Sequence, residues 1–340
     1  MTLSSSSRFL RVLKSLKWIN RQAEGVKKRS LWPISVKLEG KIVKETIRRL
    51  LKERRAILLA HNYQPSEIQD VADLCGDSLE LSIKASETDA ELIVFCGVHF
   101  MAETASILSP EKTVLLPRLD AGCPMADMIT PEALSAKLKV LGPMPVVTYV
   151  NSPASVKAIS TVCCTSANVL AVVESLDAPE ILMTPDRNLA RYAASQTSKT
   201  IHAWEGYCPI HDRLTPEAVT AARKSHPDAV FMAHPECRKN ILDMADAVLS
   251  TSGMIRYALT SLHRSFIVGT EAGLMHALQK ACPDKAFYPV SAAMVCSDMK
   301  KICLKDVIRS LETLEGQVKV PESVRVSALE SVRRMIGIAG

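Results

Sequence analysis

Short apolar runs recur along the chain, and each is followed by a polar residue, a turn and a segment with helical spacing. This pattern predicts a β-strand that leads into an α-helix. It is closely similar in three segments, which read "AILLAHNYQPSEIQDVADLCGDS" (56–78), "PVVTYVNSPASVKAISTVCCTS" (145–166) and "AVFMAHPECRKNILDMADAVLSTS" (229–252). The apolar runs end at His61, Asn151 and His234, and each segment closes on serine or threonine. The similarity indicates an internal repeat.

A second strand–turn–helix pattern follows each of these segments, and a further apolar run follows that pattern. The second pattern covers residues 91–108, 180–194 and 265–278, and the further run covers 113–117, 200–204 and 286–290. One cysteine then follows each further run: Cys123, Cys208 and Cys296, at separations of 85 and 88 residues. Any strand–turn–helix segment resembles another, so the similarity could be coincidental. Two matched halves and a cysteine in phase favour a true repeat.

Strands that alternate with helices predict parallel α/β units. We therefore expect three homologous three-layer α/β/α domains around a pseudo-three-fold axis. The expected boundaries are a basic N-terminal extension (1–45), three repeats (46–140, 141–225 and 226–320) and a C-terminal helix (321–340). In such sheets ligands bind beyond the carboxyl ends of the strands. The strand-end polar residues and the three cysteines fall there, so the sequence predicts one shared central site.

Three cysteines that converge from three domains suit a metal, because thiolates bind soft or borderline metals. Three thiolates leave a coordination position open, which is typical of catalysis rather than of a structural site. Zinc would complete its shell with another protein group or water. A [4Fe–4S] cluster would keep one iron free as a Lewis acid. Cys282, in "ACPDK", is the best rival ligand, and Cys237 lies next to Glu236 near the predicted site.

Composition and charge narrow the class of protein. The chain has 340 residues, of which 47% are hydrophobic and 23% charged, and these fractions are ordinary for a globular protein. Its net charge of +6 comes from residues 1–29, which alone carry +7, so the body is not a basic nucleic-acid binder. That N-terminal segment is amphipathic and suits an organelle presequence, a membrane-surface helix or a solvated basic helix. No apolar run is long enough for a membrane span, and no secretory signal is evident, so we expect a cytoplasmic location with reduced thiols.

Long motifs between about residues 50 and 315 resemble those of the quinolinate synthase family of de novo NAD biosynthesis. They include "LAHNYQPSEIQDVADLCGDSLELS", "VFCGVHFMAETASILSPEKTVLLPRLDAGCPMADMI", "WEGYCPIHDRLTPE" and "VGTEAGLMHALQKACPDKAFYPV". The resemblance implies three α/β/α domains and a central [4Fe–4S] cluster on Cys123, Cys208 and Cys296. The family reaction condenses iminosuccinate with dihydroxyacetone phosphate, and quinolinate forms with loss of water and phosphate.

The resemblance also implies the residues of the site. Those implied to bind substrate are His61, Ser78, Tyr149, Asn151, Ser166, His234, Glu236 and Thr251. Those implied to act as acids or bases are Tyr63, His234 and Glu236, and Met299 is read as a wall of the cavity. His211, three residues after Cys208, is expected to have a structural or supporting role. The histidines could instead be satisfied by backbone groups, and Asn151 and Ser166 could be turn and cap residues.

The expected partners are therefore two small molecules, with no nucleic acid and no membrane span. Because iminosuccinate is a labile imine, functional coupling to an aspartate-oxidising enzyme is also expected. Two alternatives stay open at the level of sequence. One is a zinc-dependent lyase or aldolase on the same three thiolates, and the other is a carrier of iron–sulfur clusters.

Overall fold

A computed structural model describes residues 32–338 of the chain, and their side chains from residue 40 onward. The chain divides into two compact units, residues 1–46 and 47–340. The first described helix is α1 (Trp32–Glu53), and its residues Ile47, Leu50 and Leu51 are buried in the second unit. The amphipathic segment of the predicted N-terminal extension lies outside the described residues.

Three four-stranded parallel sheets form the second unit, one in each predicted repeat. The first contains β1 (Ala56–His61), β2 (Leu74–Gly76), β3 (Leu92–Cys96) and β4 (Thr113–Leu115). The second contains β5 (Val146–Tyr149), β6 (Val162–Cys164), β7 (Glu180–Thr184) and β8 (Thr200–Ala203). The third contains β9 (Val230–Ala233), β10 (Ala247–Val248), β11 (Ser265–Gly269) and β12 (Ala286–Pro289). In each sheet the order of strands is second, first, third, fourth. The predicted α/β class with three repeated units is therefore confirmed.

Helices connect the strands, because parallel neighbours need a crossover. Those of the first repeat are α2 (Ser66–Gln69), α3 (Ser78–Glu87) and α4 (His99–Leu108), and α5 (Pro131–Leu141) leads to the second. The second has α6 (Ala154–Lys157), α7 (Val169–Glu174), α8 (Arg187–Ala194) and α9 (Pro209–Asp212), and α10 (Pro216–Ser225) leads to the third. The third has α11 (Lys239–Leu242), α12 (Thr251–Thr260) and α13 (Leu274–Ala281), and α14 (Leu304–Thr313) and α15 (Glu322–Gly337) follow.

Local sequence explains where these helices begin. The connecting helices α5 and α10 both start from Thr-Pro-Glu, in which the threonine hydroxyl caps the helix and proline occupies its first turn. The helix α3 begins with a capping box formed by Asp77 and Glu80. Asp186 caps α8 and Ser250 caps α12 through side-chain oxygens that accept backbone N–H groups. These caps place the first turns of the helices beside the strand ends.

Each sheet is covered on both faces, as parallel sheets generally are. In the third repeat, Phe231 and Ala233 of β9 pack in one hydrophobic cluster with Val219 of α10. The alternate residues Val230 and Met232 pack in a second cluster, which also includes Leu274 and Leu278 of α13. Side chains that alternate along one strand thus pack into two separate cores, one on each face of the sheet. The layers are therefore helix, sheet and helix.

The last helix joins the first two repeats. The helix α15 packs beside β6 and α6 of the second repeat and beside α4 of the first. The Ser331 hydroxyl donates to the carbonyl of Lys157 at 2.8 Å, and the Asn168 amide donates to the carbonyl of Met335 at 3.0 Å. Among residues 32–338, no helix combines the length and the apolar character that crossing a bilayer would require.

Two glycines provide a test of how the C-terminal segment is attached to the first sheet. Gly316 has φ of 87°, and a Cβ atom there would lie 2.4 Å from the carbonyl oxygen of Leu116. Gly142 has φ of 90°, but a Cβ atom there would meet nothing within 4 Å. Positive φ costs a non-glycine residue roughly 1–3 kcal/mol, and an overpacked contact adds about 1–3 kcal/mol.

We therefore expect Gly316→Ala to lower the free energy of unfolding by about 1–3 kcal/mol more than Gly142→Ala does. Denaturant unfolding followed by circular dichroism measures both values. Equal losses in the two variants would contradict the close approach at Gly316.

Candidate active site

The carboxyl ends of the three sheets surround one cavity of about 210 Å³. Every residue predicted for the site lines it: His61, Tyr63, Ser78, Cys123, Tyr149, Asn151, Ser166, Cys208, His234, Glu236, Thr251 and Cys296. Met299 lines it as well, in the wall position that the sequence predicted. The repeat therefore brings side chains from three distant parts of the chain to one place, beyond the strand ends as expected for parallel sheets.

Each of the three cysteines in the cavity lies in a turn after the last strand of its sheet. Each sulfur accepts hydrogen bonds from backbone N–H groups two or three residues further on: Met125 and Ala126 for Cys123, His211 for Cys208, and Asp298 and Met299 for Cys296. Backbone N–H groups directed at sulfur stabilise the thiolate form. The three turns are thus equivalent in chemistry as well as in position.

Burial works against the charged form of these thiols. It raises the pKa of Cys123 to about 12, and it also raises the pKa values of Cys208 and Cys296. A bound cation would offset this cost, because metal binding deprotonates a coordinating thiol. Three half-buried thiols with converging N–H donors therefore fit a positively charged metal centre.

The rival ligand Cys282 does not line the cavity. It is buried in the hydrophobic cluster of the third repeat that contains Phe266 and Leu278. Cys237 is buried in the cluster on the opposite face of the same sheet, and burial keeps the pKa of its thiol high. Both behave as small apolar residues.

A buried carboxylate organises the acid–base groups. The Oε2 atom of Glu236 lies 2.6 Å from Nδ1 of His211 and 3.6 Å from Nδ1 of His234, and Glu236 also accepts a hydrogen bond from the Tyr149 hydroxyl. Burial acts to raise the pKa of Glu236, but His211, His234 and the Tyr149 hydroxyl outweigh it and lower the pKa to about 2. Glu236 is therefore ionised at neutral pH.

A chain of hydrogen bonds connects Tyr63 to this carboxylate. The Tyr63 hydroxyl is 2.6 Å from the Thr270 hydroxyl, which is 2.8 Å from Nε2 of His211. Since Nδ1 of His211 faces the ionised Glu236, it carries the proton, and Nε2 is left to accept from Thr270. The path runs from the first repeat through the third and second repeats and back to the third.

Neutral donors surround the rest of the cavity. Burial lowers the pKa of His61 and of His234 to about 3 each, so both are uncharged at neutral pH. The Tyr63 backbone N–H donates to Nδ1 of His61 at 3.1 Å, which leaves the other ring nitrogen of His61 with the proton. The hydroxyl of Ser166 lies 3.2 Å from Nε2 of His234. Among the residues that the structure describes, the buried Oδ1 atom of Asn151 finds no hydrogen-bond partner.

Carboxylates also anchor the turns that carry the cysteines. Asp186 accepts from the backbone N–H of Cys208 at 3.2 Å, and Glu271 accepts from the backbone N–H of Cys296 at 3.1 Å. Lys300 forms an ion pair with Glu271 at 2.9 Å and donates to the carbonyl of Tyr63. This network holds one cysteine turn and the Tyr63 turn in a fixed relation.

Sequence reasoning did not single out Thr270, Glu271 or Asp186, and it gave His211 only a supporting role. A signal for two of them was present. Asp186 and Glu271 each lie two residues after the third strand of their sheets, β7 and β11. The matched spacing of the repeats could therefore have identified this pair.

Fold and cavity together define a three-repeat α/β protein with a central, thiol-lined site for small molecules. The chain matches the profile of the family described as quinolinate synthetase A protein over residues 45–337. It is 56% identical over 297 residues to a quinolinate synthase of Geotalea uraniireducens, which covers 87% of this chain and 97% of that protein. It is 52% identical over 293 residues to quinolinate synthase 1 of Methanosarcina acetivorans, which covers 86% and 96%. The chain belongs to the quinolinate synthetase A family.

The buried, neutral His61 predicts a dependence of stability on pH. Its pKa is about 3 in the folded protein and 6.5 in the unfolded chain, so below pH 6.5 only the unfolded state takes up this proton. The contribution of neutral His61 to the free energy of unfolding is complete above pH 6.5. It is lost as the pH falls toward 3, at about 1.4 kcal/mol per pH unit. The His61→Gln variant lacks this pH-dependent contribution. Between pH 7 and pH 5, urea unfolding should therefore show a smaller decrease in its free energy of unfolding than in that of the unmodified protein. Parallel slopes would mean that His61 is not neutral in the fold.

Proposed function

We propose that this chain is a quinolinate synthase that condenses iminosuccinate with dihydroxyacetone phosphate. One molecule of each gives quinolinate, one phosphate and two waters, so atoms balance without an added oxidant. The observation that carries the proposal is the convergence of three cysteines, one from each repeat, on a cavity that also holds neutral donors and an acid–base chain. Membership of the family supports the same reaction.

We infer that Cys123, Cys208 and Cys296 hold a [4Fe–4S] cluster. Within residues 32–338, the three metal-ligating atoms found within 4.8 Å of one another belong to Cys208, His211 and Glu236, and the three cysteines do not form such a group. Sulfurs bound about 2.3 Å from one tetrahedral zinc would lie roughly 3.8 Å apart. The spacing therefore favours a group larger than a single ion. When bound, the cluster would supply an iron without a protein ligand as a Lewis acid.

The neutral donors suit a substrate with two carboxylates. His61, Asn151 and the hydroxyls of Ser78, Ser166 and Thr251 can orient these groups. Uncharged donors position an anion without fixing it so tightly that later steps are hindered. The low pKa values of His61 and His234 keep these two donors neutral across the physiological range.

Proton transfer is assigned to Tyr63, Thr270, His211 and Glu236. Condensation needs removal of a proton beside a carbonyl, and dehydration needs delivery of a proton to a departing hydroxyl. Tyr63 lines the cavity, and its proton can pass through the Thr270 hydroxyl to Nε2 of His211. Glu236 then stabilises the charged imidazole, which is the part that the carboxylate plays in a catalytic triad. Burial raises the pKa of Tyr63, so the relay is needed to move its proton.

This arrangement disfavours the two alternatives. A zinc lyase on three thiolates is at odds with the spacing of the cysteines. A cluster carrier has no use for a buried acid–base chain. The proposal also includes an enzyme that oxidises aspartate and supplies iminosuccinate, because this imine is labile.

Anaerobic turnover tests the reaction itself. The reconstituted protein, given iminosuccinate and dihydroxyacetone phosphate, should form quinolinate and release phosphate in equal amounts. Cys123→Ser, Cys208→Ser and Cys296→Ser should each lose the broad cluster absorption and all turnover. Cys282→Ser should keep both, because Cys282 does not line the cavity. A colourless protein with full activity would refute the role of the cluster.

The relay is tested at Thr270. Thr270→Val preserves shape but removes the hydroxyl between Tyr63 and His211, so kcat should fall by about 100-fold or more. Thr270→Ser keeps the hydroxyl and should retain most of the activity. KM should change little, because Thr270 contacts the relay and does not line the cavity. Wild-type kcat in the valine variant would show that the proton takes another path.

A further inference from the structure

The tightest group of metal-ligating atoms in the described part of the chain is not the set of three cysteines. The sulfur of Cys208, Nδ1 of His211 and a carboxylate oxygen of Glu236 lie within 4.8 Å of one another. Nδ1 of His211 is 2.6 Å from the carboxylate and 3.2 Å from the sulfur. One thiol, one imidazole and one carboxylate thus point at a single small volume.

Local structure produces this group. Cys208 is the residue before α9, and His211 lies within α9, three positions along the chain. Residues three apart on a helical turn share one face, so the two side chains can chelate one ion. Glu236 approaches from the loop after β9 in the third repeat and closes the group from the opposite side.

Neighbouring groups hold the candidate ligands in place. Nε2 of His211 is 2.8 Å from the Thr270 hydroxyl, which fixes the ring with Nδ1 toward the other two ligands. The Tyr149 hydroxyl donates to Glu236. His211 and Glu236 are 1% and 3% exposed, so neither would have to be desolvated on binding. When Nδ1 binds a metal, the single ring proton of His211 moves to Nε2, which then donates to the Thr270 hydroxyl, as the second ring nitrogen of a histidine ligand usually does.

We propose that Cys208, His211 and Glu236 form a site for a single Zn²⁺ ion in protein that carries no cluster. Thiolate, imidazole and carboxylate are the three ligand types that zinc takes in proteins, and three of them leave a fourth position that faces the cavity. Cys123 and Cys296 take no part. Because zinc at this site occupies the Cys208 sulfur and the space beside it, it excludes a cluster on the three cysteines. Zinc binding itself is independent of the proposed reaction, whereas the exclusion rests on the proposed cluster.

Zinc titration of cluster-free protein tests the site. The full-length chain, stripped of metal under anaerobic conditions, competes for Zn²⁺ with a chromophoric chelator. We expect one ion per chain. Cys208→Ser, His211→Gln and Glu236→Gln should each weaken binding by more than about 100-fold, since loss of even a supporting hydrogen bond costs 10–100-fold. Cys123→Ser and Cys296→Ser are matched controls and should keep the affinity within about threefold. Equal weakening in these controls, or binding of less than one ion, would overturn the proposal.

Cobalt gives a second reading that does not depend on affinity. Co²⁺ at this site should show sulfur-to-metal absorption from one thiolate, which Cys208→Ser abolishes and Cys123→Ser preserves. Circular dichroism of each variant confirms that it is folded. Iron and sulfide added to the zinc-loaded protein should produce no cluster absorption. A cluster that forms while zinc is retained would disprove the exclusion. No substrate is present, so a failure of the proposed reaction would leave these readings intact.

Discussion

The meeting of three parallel sheets at their carboxyl ends is the constraint on which the rest of the molecule depends. No single repeat contains a site, because each contributes one cysteine and a few donors to the cavity. The acid–base chain shows the same dependence, since Tyr63, His211 and Glu236 come from the first, second and third repeats. A shift of one repeat relative to another would therefore break the hydrogen bonds between these groups rather than merely loosen packing.

Burial then sets the charge of nearly every group in that cavity. It keeps the histidines at the strand ends neutral and the thiols protonated, and it makes a lone carboxylate costly. Glu236 stays ionised because His211, His234 and the Tyr149 hydroxyl favour its charged form. The same compensation by hydrogen-bond donors explains why Asp186 and Glu271 can be buried behind the cysteine turns, where each accepts backbone N–H groups. Charge is tolerated in this interior wherever hydrogen-bond donors replace water.

The fold and the members of the site could be predicted from sequence because both leave periodic signals. The apolar runs and the phased cysteines identified three α/β units, and His61, Asn151 and His234 marked the strand ends that line the cavity. The relay could not be found in this way. Thr270 matters only because its hydroxyl lies between Tyr63 and His211, which are far apart in the chain. Cys282 shows the converse, because its Cys-Pro context resembled that of Cys123 while tertiary packing placed it in a core.

The C-terminal segment returns from the third repeat to the first. After the third repeat, the chain returns to the first sheet, where the backbone N–H of Val318 donates to the carbonyl of Val114 at 2.9 Å, and α15 then spans the first and second repeats. The helix α15 thus fastens the second repeat to the first, so its detachment would loosen two of the three sheets that surround the cavity.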